Sequence, residues 1–181
     1  LKLLDPRLLA SGDLLARFRR EARIGRRLPG ARGGESALAR THCSGHALLR
    51  GERVHYLAME LVPGEDLGAR LRREGRQPEA VVRTLDSGVA RGLVEMVEAG
   101  VVHRDLKPTN VMVLPDGGIK LLDFGLAALL NPMATLTQSG TFVGAVRYAA
   151  PEQLSRRRGA VDGRTDLYAL GLLLYETWVG E

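Results

Sequence analysis

The stretch His103-Arg104-Asp105-Leu106-Lys107-Pro108-Thr109-Asn110 sets a carboxylate, an ammonium and an amide close together, and Asp123 follows thirteen residues after Asn110. Asn110 offers a neutral oxygen and Asp123 a charged one, both hard ligands of the kind Mg²⁺ takes. Lys107 stands two positions beyond Asp105, so in an extended segment the two side chains project to the same side. Arg104 adds a planar fork that grips phosphate oxygens in pairs. Taken singly, Asp, Asn or Lys in a loop is a turn or cap residue more often than not. Together at this spacing they read as a site.

A frame must hold these groups. Lys2 to Leu4 reads as the end of a strand that Asp5-Pro6 breaks. Asp13 to Leu28 reads as a helix, with Leu14, Phe18 and Ala22 on one face, Leu15 beside them, and Asp13 or Ser11 as N-cap. Pro29-Gly30 ends it, and residues 30–36 are Gly-rich and loop-like. Val54 to Val62 reads as a strand that stops at Pro63-Gly64, the expected boundary between a smaller first part and a helix-rich second part. Leu67 to Arg73 is a short helix. Glu79 to Ala99 is a long one, with Val82, Leu85, Val89, Leu93 and Val97 at helical spacing. Val111–Leu114 and Ile119–Leu122 form two short strands around the turn Pro115-Asp116-Gly117-Gly118. Residues 131–147 read as a mobile loop, and Thr165 to Val179 as a buried helix. A cleft between the two parts is a natural ligand site.

Composition excludes several classes. The chain has 181 residues, 45% apolar and 26% charged, enough for one sizeable core or two small lobes and unlike a disordered chain. Its one cysteine, Cys43, cannot form an internal disulfide, which fits a reducing compartment. The net charge is +5, but aromatic content of 4% leaves few stacking platforms for nucleic acid. The densest basic stretch, Arg17, Arg19, Arg20, Arg23, Arg26 and Arg27, reads as a solvated helix face. The lysines are only Lys2, Lys107 and Lys120, so these positions resist a general drift to arginine. No signal peptide is visible. The longest apolar run, Leu167 to Val179, contains Glu176 and falls short of the ~18–20 residues a membrane span needs. His42, Cys43 and His46 are metal-ligand types without a fourth ligand, so no zinc site is expected.

The segment His103–Asn110, then Asp123-Phe124-Gly125, then Ala150-Pro151-Glu152 occur in the order of the H-R-D-L-x-x-x-N, D-F-G and A-P-E signatures. The chain therefore resembles the catalytic domain of a protein kinase, and Pro151-Glu152-Gln153 with the Arg-rich helix gives it the look of the bacterial serine/threonine kinases. The resemblance implies an α+β, two-lobed fold. Residues 1–62 would form a partial β-rich N-lobe and hinge, and residues 63–181 a partial helical C-lobe. It implies ATP and Mg²⁺, and transfer of the γ-phosphate to Ser or Thr hydroxyls of proteins. Asp105 would orient the hydroxyl and Lys107 reach the γ-phosphate. Asn110 and Asp123 would hold the metal. Lys2, in Leu1-Lys2-Leu3-Leu4, resembles the nucleotide-contacting lysine, with Glu21 as its helix partner. Met59 would flank the adenine, and backbone groups of Glu60 and Val62 would bond its edge. Thr137, Ser139 and Thr141 are candidate activation-loop phosphosites, with Arg104 gripping the phosphate. His103, Phe124, Gly125, Glu152 and Asp166 would be structural, Asp166 anchoring the catalytic loop from below. A homodimer for phosphorylation in trans and a cytoplasmic location belong to the same expectation.

The chain departs from the family in three places. No Gly-rich loop precedes Lys2, and the helices after Val179 are missing with the arginine that pairs with Glu152, so a chain truncated at both ends and an exposed apolar face on the second lobe are expected. Ala145 follows Gly144 where a threonine usually stands, a loss of one hydrogen bond to a charged group worth about 1.5–3 kcal/mol. That departure keeps open a scaffold that binds nucleotide or a partner without chemistry. A small-molecule phosphotransferase is a second rival, disfavoured by the D-F-G and A-P-E triplets.

Overall fold

The computed structural model describes residues 1–4, 12–28, 35–123, 147–154 and 160–180. Phe124, Gly125, Thr137, Ser139, Thr141, Gly144 and Ala145 lie outside the described residues.

Strands β1 (Lys2–Leu4), β2 (Thr41–Leu49) and β3 (Glu52–Met59) form an antiparallel sheet in the order β1-β3-β2. Helix α1 (Gly12–Gly25) seals one face, burying Phe18 and Ala22 against Leu57. Its end comes earlier than the spacing predicts. Residues 26–28 turn instead, with Arg27 N–H bonded to the Ile24 carbonyl at 2.8 Å. Strand β2 is not apparent in Thr-His-Cys-Ser-Gly-His, which lacks alternation. Pairing imposes it. Leu49 opposes Glu52 across a two-residue turn in which Arg50 and Gly51 both take positive φ, 52° and 85°.

The second part carries β4 (Glu65–Asp66), α2 (Leu67–Glu74), α3 (Glu79–Glu98), β5 (Val111–Val113), β6 (Ile119–Leu121), α4 (Pro151–Leu154) and α5 (Gly163–Val179). Strands β4, β5 and β6 make a second small antiparallel sheet. The main core gathers Leu85, Val89, Leu93 and Met96 of α3 with Leu121 of β6 and Leu173 of α5. Val97, placed on the buried face by simple spacing, is 58% exposed, because the stripe drifts onto Met96 as the helix turns. Helix α5 buries one face only. Leu167, Tyr168, Tyr175 and Trp178 are exposed, so the helix is not buried all round as its apolar run predicts. No helix among the described residues is long and apolar enough to cross a membrane.

Glycine lets the β5–β6 hairpin approach α3. A Cβ on Gly88 would meet Ile119 Cβ at 2.5 Å, and one on Gly92 would meet Leu121 Cδ1 at 2.8 Å. Gly88→Ala should therefore destabilise the fold by about 1–3 kcal/mol, although alanine favours a helix interior by about 1 kcal/mol. Denaturant unfolding measures it, and a more stable variant would refute this packing account.

Residues 36–39 join the two parts. Ser36 Oγ donates to Glu95 Oε2 at 2.5 Å, Ala37 N–H to Glu95 Oε1 at 3.0 Å, and Ala39 N–H to the Leu121 carbonyl at 2.9 Å. The hairpin that carries the candidate residues is thus tied to the segment leading into β2.

Candidate active site

The loop His103–Lys107 is irregular chain whose polar backbone needs partners. Asp166, 3% exposed at the start of α5, supplies them: Oδ2 accepts from His103 N–H at 2.8 Å and Oδ1 from Arg104 N–H at 2.7 Å. Burial raises its pKa, against the lowering pull of those bonds and of His103. His103 is itself fully buried, and burial holds its imidazole below the ordinary range, neutral. A neutral ring suits its partners, Nε2 lying 3.1 Å from the Leu122 carbonyl while Nδ1 accepts from Asp105 N–H at 3.3 Å. Arg104 takes φ 65°, a left-handed conformation costing a non-glycine residue about 1–3 kcal/mol that the surroundings must offset.

Beyond this turn the side chains converge. Asp105 Oδ2 accepts from Lys107 Nζ at 2.8 Å and from Asn110 Nδ2 at 3.1 Å, and the same Nδ2 donates to the Asp105 carbonyl at 2.8 Å. A short 3₁₀ turn, Pro108–Asn110, carries Asn110 inward, and Leu122 N–H bonds its carbonyl at 2.9 Å, which sets Asp123 beside it. Asp123 also has positive φ, 56°. From the other sheet Lys2 Nζ reaches Asp123 Oδ1 at 2.7 Å and Glu21 Oε1 at 3.1 Å. Positions 2, 21 and 123 thus form one hydrogen-bonded set and positions 105, 107 and 110 another, and the Leu122–Asn110 backbone bond ties together the segments that carry them. Asp105 Oδ1, Asn110 Oδ1 and Asp123 Oδ2 have no hydrogen-bond partner among the described residues.

Glu21 is 3% exposed and its Oε2 is buried without a partner among the described residues. Burial raises its pKa from 4.5 to about 7, with Asp123 adding to the rise and Lys2 opposing it. Burial lowers Lys2, but the two carboxylates outweigh it and the net shift is upward. Because the folded chain holds a Glu21 proton that the unfolded chain releases, this stabilisation is complete below pH 4.5 and fades as pH rises through 7. Wild-type stability relative to Glu21→Gln should therefore fall by about 3 kcal/mol between pH 4.5 and 8, measured by denaturant unfolding. A flat difference would contradict the raised value.

Met59 ends β3, and Glu60 and Val62 follow it in the link between the parts. Glu60 N–H donates to the Arg40 carbonyl at 2.7 Å. Its side chain accepts from Arg40 N–H at 2.9 Å and from Lys120 Nζ at 2.6 and 2.9 Å. The Lys120–Glu60 pair escapes sequence reasoning, although the rarity of lysine is a signal for it. A second contact that the sequence does not disclose is at Glu152, whose Oε1 accepts from Thr165 Oγ1 at 2.7 Å. The basic face of α1 also does more than meet solvent. Arg20, Arg23, Ile24, Arg27, Val101 and Arg104 help line a cavity of about 430 Å³, and Arg104 Nε is buried without a partner among the described residues. The sequence placed Arg104 near a phosphate but not the helix arginines. Among the described residues no cluster of His, Cys, Asp and Glu could hold a metal by itself.

Comparison with known proteins bears on this arrangement. The chain is 37% identical over 180 residues to the serine/threonine-protein kinase PknL of Mycobacterium tuberculosis and 35% identical over 181 residues to PknA of the same organism. It is 34% identical to a probable serine/threonine-protein kinase of Corynebacterium efficiens. Each match takes in 99% of this chain, yet the chain spans 42% of PknL and 40% of PknA. A crystal structure of a mutant form of the M. tuberculosis PknI kinase domain superposes with a TM-score of 0.68 at 28% identity, covering 99% of this chain and 62% of that one. The sequence model of the protein kinase domain matches residues 45–181. With that match over most of its length, and the fold shared with a solved kinase domain, the chain belongs to the protein kinase family.

Proposed function

We propose that this chain is the catalytic part of a serine/threonine kinase that moves the γ-phosphate of ATP to Ser or Thr hydroxyls of proteins. The observation that carries the reading is the pair of hydrogen-bonded sets Lys2–Glu21–Asp123 and Asp105–Lys107–Asn110, in which one oxygen each of Asp105, Asn110 and Asp123 has no partner among the described residues.

Phosphoryl transfer asks for little covalent help from the protein and much positioning. Lys107 and Asn110 occupy Asp105 Oδ2, so Oδ1 is left to accept the hydrogen bond of the incoming hydroxyl and hold it in line. Lys107 stands where its ammonium reaches the transferred phosphate. Lys2, oriented by Glu21, meets the inner phosphates. The donor set fits Mg²⁺, since Asn110 Oδ1 and Asp123 Oδ2 are hard, unclaimed oxygens. Bound there, the ion would neutralise charge on the phosphate oxygens. Met59 flanks the adenine, and the Glu60 carbonyl and Val62 backbone bond its edge. His103, Phe124, Gly125, Glu152 and Asp166 hold the frame. The same reading divides the chain into residues 1–62 and 63–181; the two sheets support it, while Leu28 and residues 36–39 of the first part pack or bond with the second.

Control by loop phosphorylation at Thr137, Ser139 or Thr141 belongs to the same reading. It is supported by the arginine-lined cavity beside Arg104. Phosphorylation in trans between two copies, and a cytoplasmic location for this part, complete it. The test is transfer of label from γ-labelled ATP with Mg²⁺ to the intact protein and to a Ser/Thr substrate, with the labelled positions mapped. Nucleotide binding without transfer would favour the scaffold reading instead.

A further inference from the structure

Gln153 is the third residue of α4, in the segment that follows the A-P-E alanine. Both ends of its amide are used. Oε1 accepts from Ala150 N–H at 3.0 Å, and Nε2 donates to the Arg104 carbonyl at 2.8 Å, across 49 residues of sequence. Arg104 is the left-handed residue immediately before Asp105, at φ 65°. Asp166 holds the N–H on one side of this residue, as described above, and Gln153 holds the C=O on the other. That C=O belongs to the peptide that runs into Asp105, so its plane sets where the Asp105 carboxylate points.

We propose that Gln153 is a positioning residue for phosphoryl transfer, which holds the Arg104–Asp105 peptide from the Ala150–Leu154 segment. The inference rests on the reading of Asp105 given above. An amide is the group the geometry requires, because it donates and accepts at once. An ionised carboxyl would accept from Ala150 and set negative oxygen against the Arg104 carbonyl. A protonated carboxyl would restore the donor.

The intact protein is assayed as wild type, Gln153→Met and Gln153→Glu, from pH 5.5 to 8. Both variants should lose kcat roughly ten- to hundredfold at pH 8 with KM for ATP unchanged, as expected for one lost hydrogen bond to the catalytic peptide. Below pH 7 the Gln153→Glu variant should recover relative to wild type, since the introduced carboxyl titrates above its ordinary ~4.3 when its charged form faces a carbonyl. Gln153→Met should not recover. Among the described residues, the titratable and charged groups on the segments it joins are His103, Arg104, Asp105 and Lys107 in the loop, Arg164 and Asp166 on α5, and Arg147 and Glu152 in its own segment. All are common to wild type and variant, so the activity ratio isolates the new carboxyl. If Gln153→Met does not fold, the pH dependence of Gln153→Glu still decides. Variants within twofold of wild type, or a Gln153→Glu loss that is the same at every pH, would overturn the inference while leaving the kinase reading intact. A wild type that binds ATP and transfers nothing defeats the kinase reading, and the inference with it.

Discussion

Asp105→Asn should lower kcat roughly 10²- to 10⁴-fold, the range expected when a positioned acid–base group is removed, with little change in KM for ATP. The side chain keeps its size, so the loss is electronic. Wild-type Oδ2 takes hydrogen bonds from Lys107 Nζ at 2.8 Å and Asn110 Nδ2 at 3.1 Å, which commits Oδ1 to the substrate hydroxyl. An asparagine cannot meet both demands. With its oxygen toward Lys107 it presents an N–H donor to the hydroxyl; turned over, it sets that donor against an ammonium. Lys2, Glu21 and Asp123 are untouched, which is why nucleotide affinity should hold. Transfer of label from γ-labelled ATP measures the effect. Equal transfer by both proteins would remove Asp105 from the mechanism.

The second large effect is on stability. Asp166→Ala should cost about 3–5 kcal/mol, lowering Tm by roughly 8–15 °C for a domain of this size. The carboxylate serves two N–H donors, of His103 and Arg104, at 2.8 and 2.7 Å, where water has little access. Removing it strands both and frees Arg104 to leave its left-handed conformation. Asp166→Asn keeps one acceptor oxygen and should lose about half as much. Calorimetry of the three proteins gives the order, and an alanine variant that melts with wild type would show that water or another group satisfies the loop.

Local chemistry explains which parts of this were legible beforehand. The catalytic loop, the hairpin at 115–118 and the long α3 helix are written in contiguous residues: a turn-forming Pro-Asp-Gly-Gly, a helical apolar stripe, a motif of fixed spacing. The breaks at Asp5-Pro6 and Pro63-Gly64 are equally local. Strand β2 was illegible because nothing in its own residues favours extension; its order comes from β3, which pairs along its whole length. Helix α5 looked buried because its apolar residues run all round, whereas the structure packs one side and leaves Tyr175 and Trp178 exposed.

Residue identity alone determined the chemical inventory of this protein: a carboxylate, an ammonium and hard oxygen ligands at the spacing of one family's signature. Only the tertiary structure decided how they are held. Lys2 meets Asp123 across 121 residues, Gln153 meets Arg104 across 49, and Lys120 meets Glu60 across 60. Such partnerships carry no sequence periodicity. Each arises because folding brings distant polar atoms into partly buried places, where each finds a partner on whatever segment packs beside it.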